Sequence, residues 1–527
     1  MKRRRFLQAT ASAPALILGG CKAQTIPGSI VGGAQRTGHL LRQGGPLPTP
    51  SRTEKTDILI LGAGIAGLAA ARQLNAGKHT DFLVLDLEGQ PGGNSQGGSN
   101  EVAAYPWGAH YVPLPGPNCR EVREFFGEIG LIQGHDAAGR PIYDELSLCA
   151  DPQERIFIHG QWEEGIVPNV GLTEAEQAQF QSFNAEMEHW RAAKGSDGLP
   201  AFTLPADRSS RDPDLLSLDA QTMGDWMTAK GWTCEPLRWL VDYSCRDDFG
   251  GTVDQVSAWA GIHYFASRHS DAANADRETM LTWPEGNAWL VKKLAEHTTD
   301  RIRTHTLVLR TTTEGRQAHV DALDVRTGET TRITSKAIVC ALPRFIAQRV
   351  IGGLQPLPGS LAYSPWIVAN LTLDELPPSP GALPAWDSVV YRGPSLGYVN
   401  AAHQSLHPVL RRTVITQYDT LCDEPPAKSR EWMLTQTHEQ WCERVFRSLA
   451  APHPDLRQHT QQLDIWLWGH GMIRPEPGFI TGTTRAAMQN HQPPVFFAHS
   501  DMSGLSLFEE AYTRGVQAAS ALTQWLT

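Results

Sequence analysis

The sequence predicts an α/β fold in which a parallel-sheet domain is interleaved with a second, α+β domain. Three observations carry this. A short apolar run from Asp57 to Leu61 enters a glycine-rich turn and then a helix. Apolar, strand-like runs of the same kind return far downstream, at Ala337 to Cys340 and Val495 to Ala498. The 527 residues also exceed what one ordinary core holds.

The first strand ends at Gly62, Gly64 and Gly67, the G-x-G-x-x-G spacing. Gly62 permits the tight turn, Gly64 lets backbone approach a pyrophosphate, and Gly67 lets the helix sit close on the sheet. The helix spans Ile65 to about Ala76 and stops at Gly77, and its N-terminus offers unpaired N–H groups to phosphate. A second strand, Phe82 to Leu85, ends in Asp86, placed to accept hydrogen bonds from a ribose diol. The spacing alone is a weak signal; strand, helix and acid together predict a Rossmann-like dinucleotide site. Its candidate residues are Gly62, Ala63, Gly64, Ile65, Ala66, Gly67, Asp86 and Leu87. A carboxylate at the ribose favours FAD or NAD over NADP.

From Asp86 the text reads DLEGQPGGN, an acid, five intervening residues and a glycine pair, Gly92 and Gly93. This resembles the signature of the flavin-containing amine oxidase and phytoene desaturase superfamily. The resemblance implies a glutathione-reductase-like FAD domain, with the glycine pair passing close to the flavin side of FAD. Many members carry Arg after the pair, where this chain has Asn94. Trp107, Gly108, Ala109 and His110 resemble the family's segment returning past the flavin, which makes His110 a candidate for the substrate cavity; a packed or solvated histidine is the alternative.

Residues 120–280 read as mainly helical, with Trp226, Trp232, Trp239, Phe249, Trp259, Tyr264 and Phe265 as helical core. Pro284, Glu285 and Gly286 resemble the family's turn back into the FAD domain. Arg301 to Thr312 and Ala318 to Val325 alternate as strands, and Val308 matches the position whose backbone lies against adenine in the family. Trp366 to Leu373 and Leu463 to Trp468 read as strands, and Lys428 to Leu449 as one amphipathic helix. Trp468 and His470 resemble the Trp-x-His segment of desaturase-like members, which makes His470 a second cavity candidate; a histidine in a solvated glycine-rich turn is the alternative. PVFFAHSDMSGLSLFEEAYTRGVQAA, from Pro494, resembles the superfamily's C-terminal flavin motif, implying Asp501 at the ribitol chain and Glu510 on the helix that points at the flavin.

These segments divide the chain into an export signal (1–21), a tether (22–54), an FAD domain in three parts (55–118, 281–345, 494–527) and a substrate domain in two (119–280, 346–493). The signal reads MKRRRFLQATASAPALILGGC, and Arg3, Arg4, Phe6 and Leu7 resemble the twin-arginine motif RRxFL. The translocon that reads that motif carries folded proteins; an ordinary secretory leader is the alternative. Leu18 to Cys21 resembles a lipoprotein cleavage box, implying a lipid anchor at Cys21 on the periplasmic side. The tether is rich in Gly, Pro, Thr and Gln with no apolar period.

Composition narrows the partners. The formal net charge is −10, and the expected leader holds Lys2, Arg3, Arg4 and Arg5, so the remainder is more acidic still. That argues against nucleic acid. No apolar run approaches the ~18 residues that span a bilayer. The seven cysteines after Cys21 form no CxxC and no zinc-ligand spacing, so no metal is expected and at most one or two disulfides.

For chemistry, the resemblance implies an FAD-dependent oxidoreductase passing hydride from a small-molecule C–N or C–C bond to the flavin N5, with dissociable FAD because the C-terminal motif lacks Cys. Two departures complicate the amine case. No Lys lies in Trp366 to Leu373, and Leu507 with Phe508 stands where amine oxidases set an aromatic cage residue. The alternatives are a non-redox, mutase-like flavoenzyme and a binding protein that keeps the fold.

Overall fold

The computed structural model describes residues 25–42, 46–405 and 411–527; the twin-arginine motif and Cys21 lie outside the described residues. Four fully buried apolar residues, Ile58–Leu61, form the centre of a five-stranded sheet. In order its strands are Ile302–Arg303, Phe82–Leu85, Ile58–Leu61, Ala337–Cys340 and Val495–Phe497, all parallel. Such strands read as continuous apolar runs because helices or a second sheet cover both faces. One face carries Ile65–Ala76 and the C-terminal helix Phe508–Leu526, which pack on each other. The other face is covered by a four-stranded sheet, the meander Thr306–Glu314, Gln317–Asp324 and Thr330–Ser335 with Arg52–Lys55 paired in parallel at its edge. Arg301 to Thr312, read as one strand, is broken at His305, whose φ of 54° turns the chain from the first sheet into the meander.

The second domain is organised by an eight-stranded sheet. Its spine is the antiparallel pair Tyr363–Leu373 and Thr460–Ile473, and the first of these is buried along its whole length. Glu154–Ile158 and Gln161–Glu164 form the far edge, strands inside a region that reads as mainly helical. Helices between residues 174 and 266 form a separate aromatic core holding Trp226, Trp232, Phe249 and Trp259, with Trp239, Tyr264 and Phe265 packed against it. The single helix expected over 428–449 is two, Pro426–Thr435 and His438–Leu449. Thr437 starts the second with a capping box to Gln440, which satisfies N–H groups that a continuous helix would not expose.

The stretch expected as a tether is docked where it is described. Ile26 is buried among Met433, Trp441 and Leu463, and Ile30–Val31 pairs in parallel with Ile465 and Trp466. Glu88 accepts from the Ala34 N–H at 3.0 Å, and Leu41 packs, as Leu87 does, against Leu307, Leu309 and Leu323. A few apolar anchors and an open sheet edge suffice to order a segment that has no periodicity of its own. The seven described cysteines are all free, and no helix among the described residues is long and apolar enough to cross a membrane.

Candidate functional site

Two adjoining cavities lie where the domains meet. The first, about 220 Å³, is lined by Gly62, Gly64, Ile65, Ala66, Asp86, Gly92, Gly93, Ala109 and Asp501 among others, so it joins turns that lie more than 400 residues apart. Gly62 has φ of +97°, and a Cβ on Gly67 would collide with the Gly62 carbonyl oxygen. Gly64 and Gly93 face each other so closely that a Cβ on Gly93 would stand 3.3 Å from the Gly64 Cα. The helix Ile65–Ala76 has no side-chain cap and no acid in its first turn, so its N-terminal donors are left to a ligand. Ala63 lies in the turn itself, where its N–H donates to Asp86.

Asp86 accepts from Ala63 N–H at 2.6 Å and from Glu88 N–H at 2.8 Å. Burial pushes its carboxyl up to about 6, against the pull of those two donors. At the other end, Asp501 accepts from the Tyr363 hydroxyl at 2.5 Å and the Arg344 N–H at 2.8 Å. Burial acts to raise its carboxyl, yet His499, Tyr363 and the Arg344 N–H outweigh it and hold it below the usual range. Asn94, standing where relatives carry Arg, donates instead to the carbonyl of Gly471 and ties the glycine-pair loop to the second domain.

The second cavity, about 150 Å³, continues from the first past Asn94, Ala109, Leu507 and Phe508. Gly108 and His110 line it. The His110 Nδ1–H donates to Gly108 O at 3.1 Å, which leaves Nε2 as an acceptor, and burial pushes the imidazole down to about 4, hence neutral. Aromatic walls come from Tyr111, Trp366, Tyr418, Trp468 and Phe508. Trp468 donates its indole N–H to Trp107 O at 2.6 Å.

Carboxylates dominate the polar lining. Asp247 accepts from the Tyr111 hydroxyl at 3.1 Å; burial and then Asp248 raise it to about 7. Asp248 pairs with Arg268 at 3.2 Å. Burial raises Glu509 to about 7, and its Oε1 is buried with no hydrogen-bond partner. Just behind, Asp387 receives the Tyr418 hydroxyl at 3.3 Å and is pushed well up by burial and by Glu154 and Asp247. These acids carry no sequence motif. The one signal is Asp247 and Asp248 side by side in the last turn of the helix Glu235–Phe249.

Three expected site residues fall elsewhere. Glu510 turns from both cavities and accepts from the Ala206 N–H at 2.5 Å, because the phase of the C-terminal helix aims its neighbour Glu509 inward instead. Leu87 lies outside the lining and packs against Leu307, Leu309 and Leu323; the side chain of Val308 packs in the core between sheet and meander, and the expectation for that residue concerns its backbone. His470 lines the nucleotide cavity rather than the substrate cavity, its ring stacked on Phe345 at 4.2 Å. Burial, with Arg430 and Arg42 adding, pushes it down to about 3.

A family model described as an NAD(P)-binding Rossmann-like domain matches residues 60–129. No curated protein matches the sequence. Among solved structures, putrescine oxidase bound to putrescine superposes with a TM-score of 0.64 at 16% identity, over 90% of this chain and 100% of that one. Cyclohexylamine oxidase from Brevibacterium oxydans IH-35A gives 0.63 at 14%, over 89% and 99%. A CLA-producing fatty acid isomerase from P. acnes gives 0.58 at 14%, over 90% and 99%. The chain is therefore an α/β protein with a Rossmann-type dinucleotide domain. Its fold is the one on which these amine oxidases are built.

Proposed function

We propose that the protein is an FAD-dependent oxidoreductase of the amine-oxidase type, exported to the periplasmic side, acting on a cationic amine. The observation that carries the substrate class is the unpartnered Glu509 Oε1 in a buried cavity whose lining holds three carboxylates and one arginine. A buried acceptor of this kind is costly unless a ligand donor meets it.

FAD suits the residues present. The capless helix N-terminus after Gly64 would take the pyrophosphate, Asp86 the ribose diol, Asp501 the ribitol, and Ala109, Leu507 and Phe508 the boundary between the cavities. Bound there, FAD supplies a two-electron acceptor for the hydride of a C–H bond beside nitrogen. The remaining work belongs to the chain. Glu509 and Asp247 hold the ammonium. A carboxylate of Asp247 or Glu509, raised to about 7, is the base for the proton that must leave nitrogen before its lone pair can form the C=N bond, and neutral His110 offers Nε2 as an acceptor for the remaining substrate N–H. Trp366, Trp468 and Tyr418 exclude water, and Trp366 occupies the strand in which classical amine oxidases carry Lys.

The test is spectroscopic. The denatured protein should release FAD, and anaerobic titration with aliphatic amines should bleach the flavin while uncharged alkenes do not. Bleaching only by uncharged substrates would transfer the reading to C–C oxidation; turnover without net bleaching would support the mutase-like alternative; a colourless protein would leave a binding protein.

A further inference from the structure

A third cavity, about 420 Å³, lies beyond both of these, between the N-terminal segment, the helix Pro426–Thr435 and the strand Thr460–Ile473. It is lined by His39, Arg42, Arg430 and His470, and the single acid among its lining residues, Glu431, is exposed. Arg42 has no hydrogen bond or ion pair among the described residues. Arg430 spends one N–H on the Tyr363 carbonyl at 2.8 Å and meets no carboxylate. A chain of net charge −10 thus gathers two unneutralised guanidiniums and two imidazoles around one concave space. Guanidinium groups match phosphate through paired N–H donors, which a lone ammonium cannot do.

The rim says where such a group could come from. Leu434, which lines the cavity, is 48% exposed, and Trp432 on the same helix is 43% exposed beside the Arg444 guanidinium. The described chain also enters on this face, where Pro27 O accepts from Leu463 N–H at 2.9 Å and Ile26 sits beside Met433 and Trp441. Cys21 precedes Thr25 by four residues, a reach of at most ~14 Å. An exposed Trp beside basic groups is the pattern of a surface that meets a lipid interface.

We propose that this cavity is an anion site that takes a phosphate group, presented by a phospholipid headgroup or as free phosphate. The lipid source draws on the export reading; the site itself does not.

The test uses the full chain as Cys21→Ser, so that no acyl chain contributes. Inorganic phosphate, titrated at constant ionic strength, should raise Tm saturably. Arg42→Gln should weaken that effect about tenfold or more, as losing one charge-assisted contact implies. Arg42 is exposed and holds nothing else, so its variant folds; Arg430→Gln should reinforce the loss, and Arg326→Gln, an exposed arginine that does not line the cavity, should leave it unchanged. Sedimentation with phosphatidylglycerol vesicles against pure phosphatidylcholine vesicles identifies the source. Selective pelleting with phosphatidylglycerol, competed by phosphate and lost in Arg42→Gln, supports the headgroup. A saturable phosphate effect with equal pelleting supports free phosphate. No phosphate effect and no vesicle selectivity, or an Arg42→Gln protein that behaves like its parent, overturns the site.

Discussion

The guanidinium of Arg268 stands 3.2 Å from the carboxylate of Asp248, and it is the only lysine or arginine among the described residues lining the substrate cavity. The pair is buried, with side-chain exposures of 12% and 5%, so neither charge is screened by water. Removing one partner leaves the other uncompensated, which typically costs about 3–5 kcal/mol. Arg268→Met should lower stability by about that amount, read as a shift of the urea midpoint. A loss below about 1 kcal/mol would show that Asp248 is carried as the neutral acid.

Glu509 and Asp247 are both raised to about 7 by burial, so the folded protein binds protons there that the unfolded chain releases above about pH 4. The sign follows directly. Their contribution to stability is present at acid pH and is lost as pH rises through about 4 to 7. Affinity for a cationic ligand runs the other way, rising as the two acids ionise near neutrality. Glu509→Gln should flatten part of the urea-midpoint slope between pH 4 and 7. It should also cut kcat/KM for a cationic amine by about tenfold or more, with flavin content unchanged. An unaltered pH profile would remove Glu509 from the ligand site.

Asp86 is the ribose-reading acid of the proposed FAD site. Asp86→Ala should weaken FAD binding by roughly 10- to 100-fold, the size of one charged hydrogen-bonding group. With its carboxyl at about 6, wild-type FAD affinity should also decline below pH 6. Equilibrium dialysis across pH checks both. Retention equal to wild type would exclude Asp86 from the cofactor contact.

How far the sequence revealed this site depends on whether its parts are local. The glycine spacing from Gly62 to Gly67 and the acid at Asp86 belong to one βαβ unit, whose backbone geometry demands those residue types at those offsets. They were legible for that reason. Asp247, Glu509 and Tyr418 converge only when two domains interleave, and beyond the adjacency of Asp247 and Asp248 nothing in their local text marks them. The choice between Glu509 and Glu510 was a question of helical phase, which a motif does not resolve. Val308 and His470 were placed by analogy: the expectation for Val308 concerns its backbone rather than the side chain packed in the core, and His470 lines the first cavity rather than the second. The break in the helix over 428–449 was legible in principle, because Thr437 and Gln440 spell a capping box.

That cap offers a check independent of function. Thr437 accepts from the Gln440 N–H at 3.3 Å while the Gln440 side chain accepts from the Thr437 N–H at 2.8 Å. Thr437→Ala should lower stability by about 1 kcal/mol and leave flavin spectra unaltered. No measurable change in the urea midpoint would mean that water replaces the cap fully.

Export in the folded state is the remaining expectation. Replacing Arg3 and Arg4 by Lys should trap a yellow, FAD-loaded precursor in the cytoplasm, detected by fractionation with flavin fluorescence. Normal delivery of that variant would make the leader an ordinary secretory one, and a trapped but colourless precursor would place cofactor loading after export.

The two-residue strand Ile30–Val31 has its partners at Ile465 and Trp466, near the opposite end of the chain. During synthesis those partners emerge only after most of the polypeptide, so the segment Ile30–Val31 stays undocked until the second domain has nearly all been made. The closing strand of the nucleotide sheet, Val495–Phe497, emerges later still. Attachment of the N-terminal segment is thus a late event in the synthesis of each molecule, possible only once the strand Thr460–Ile473 has emerged.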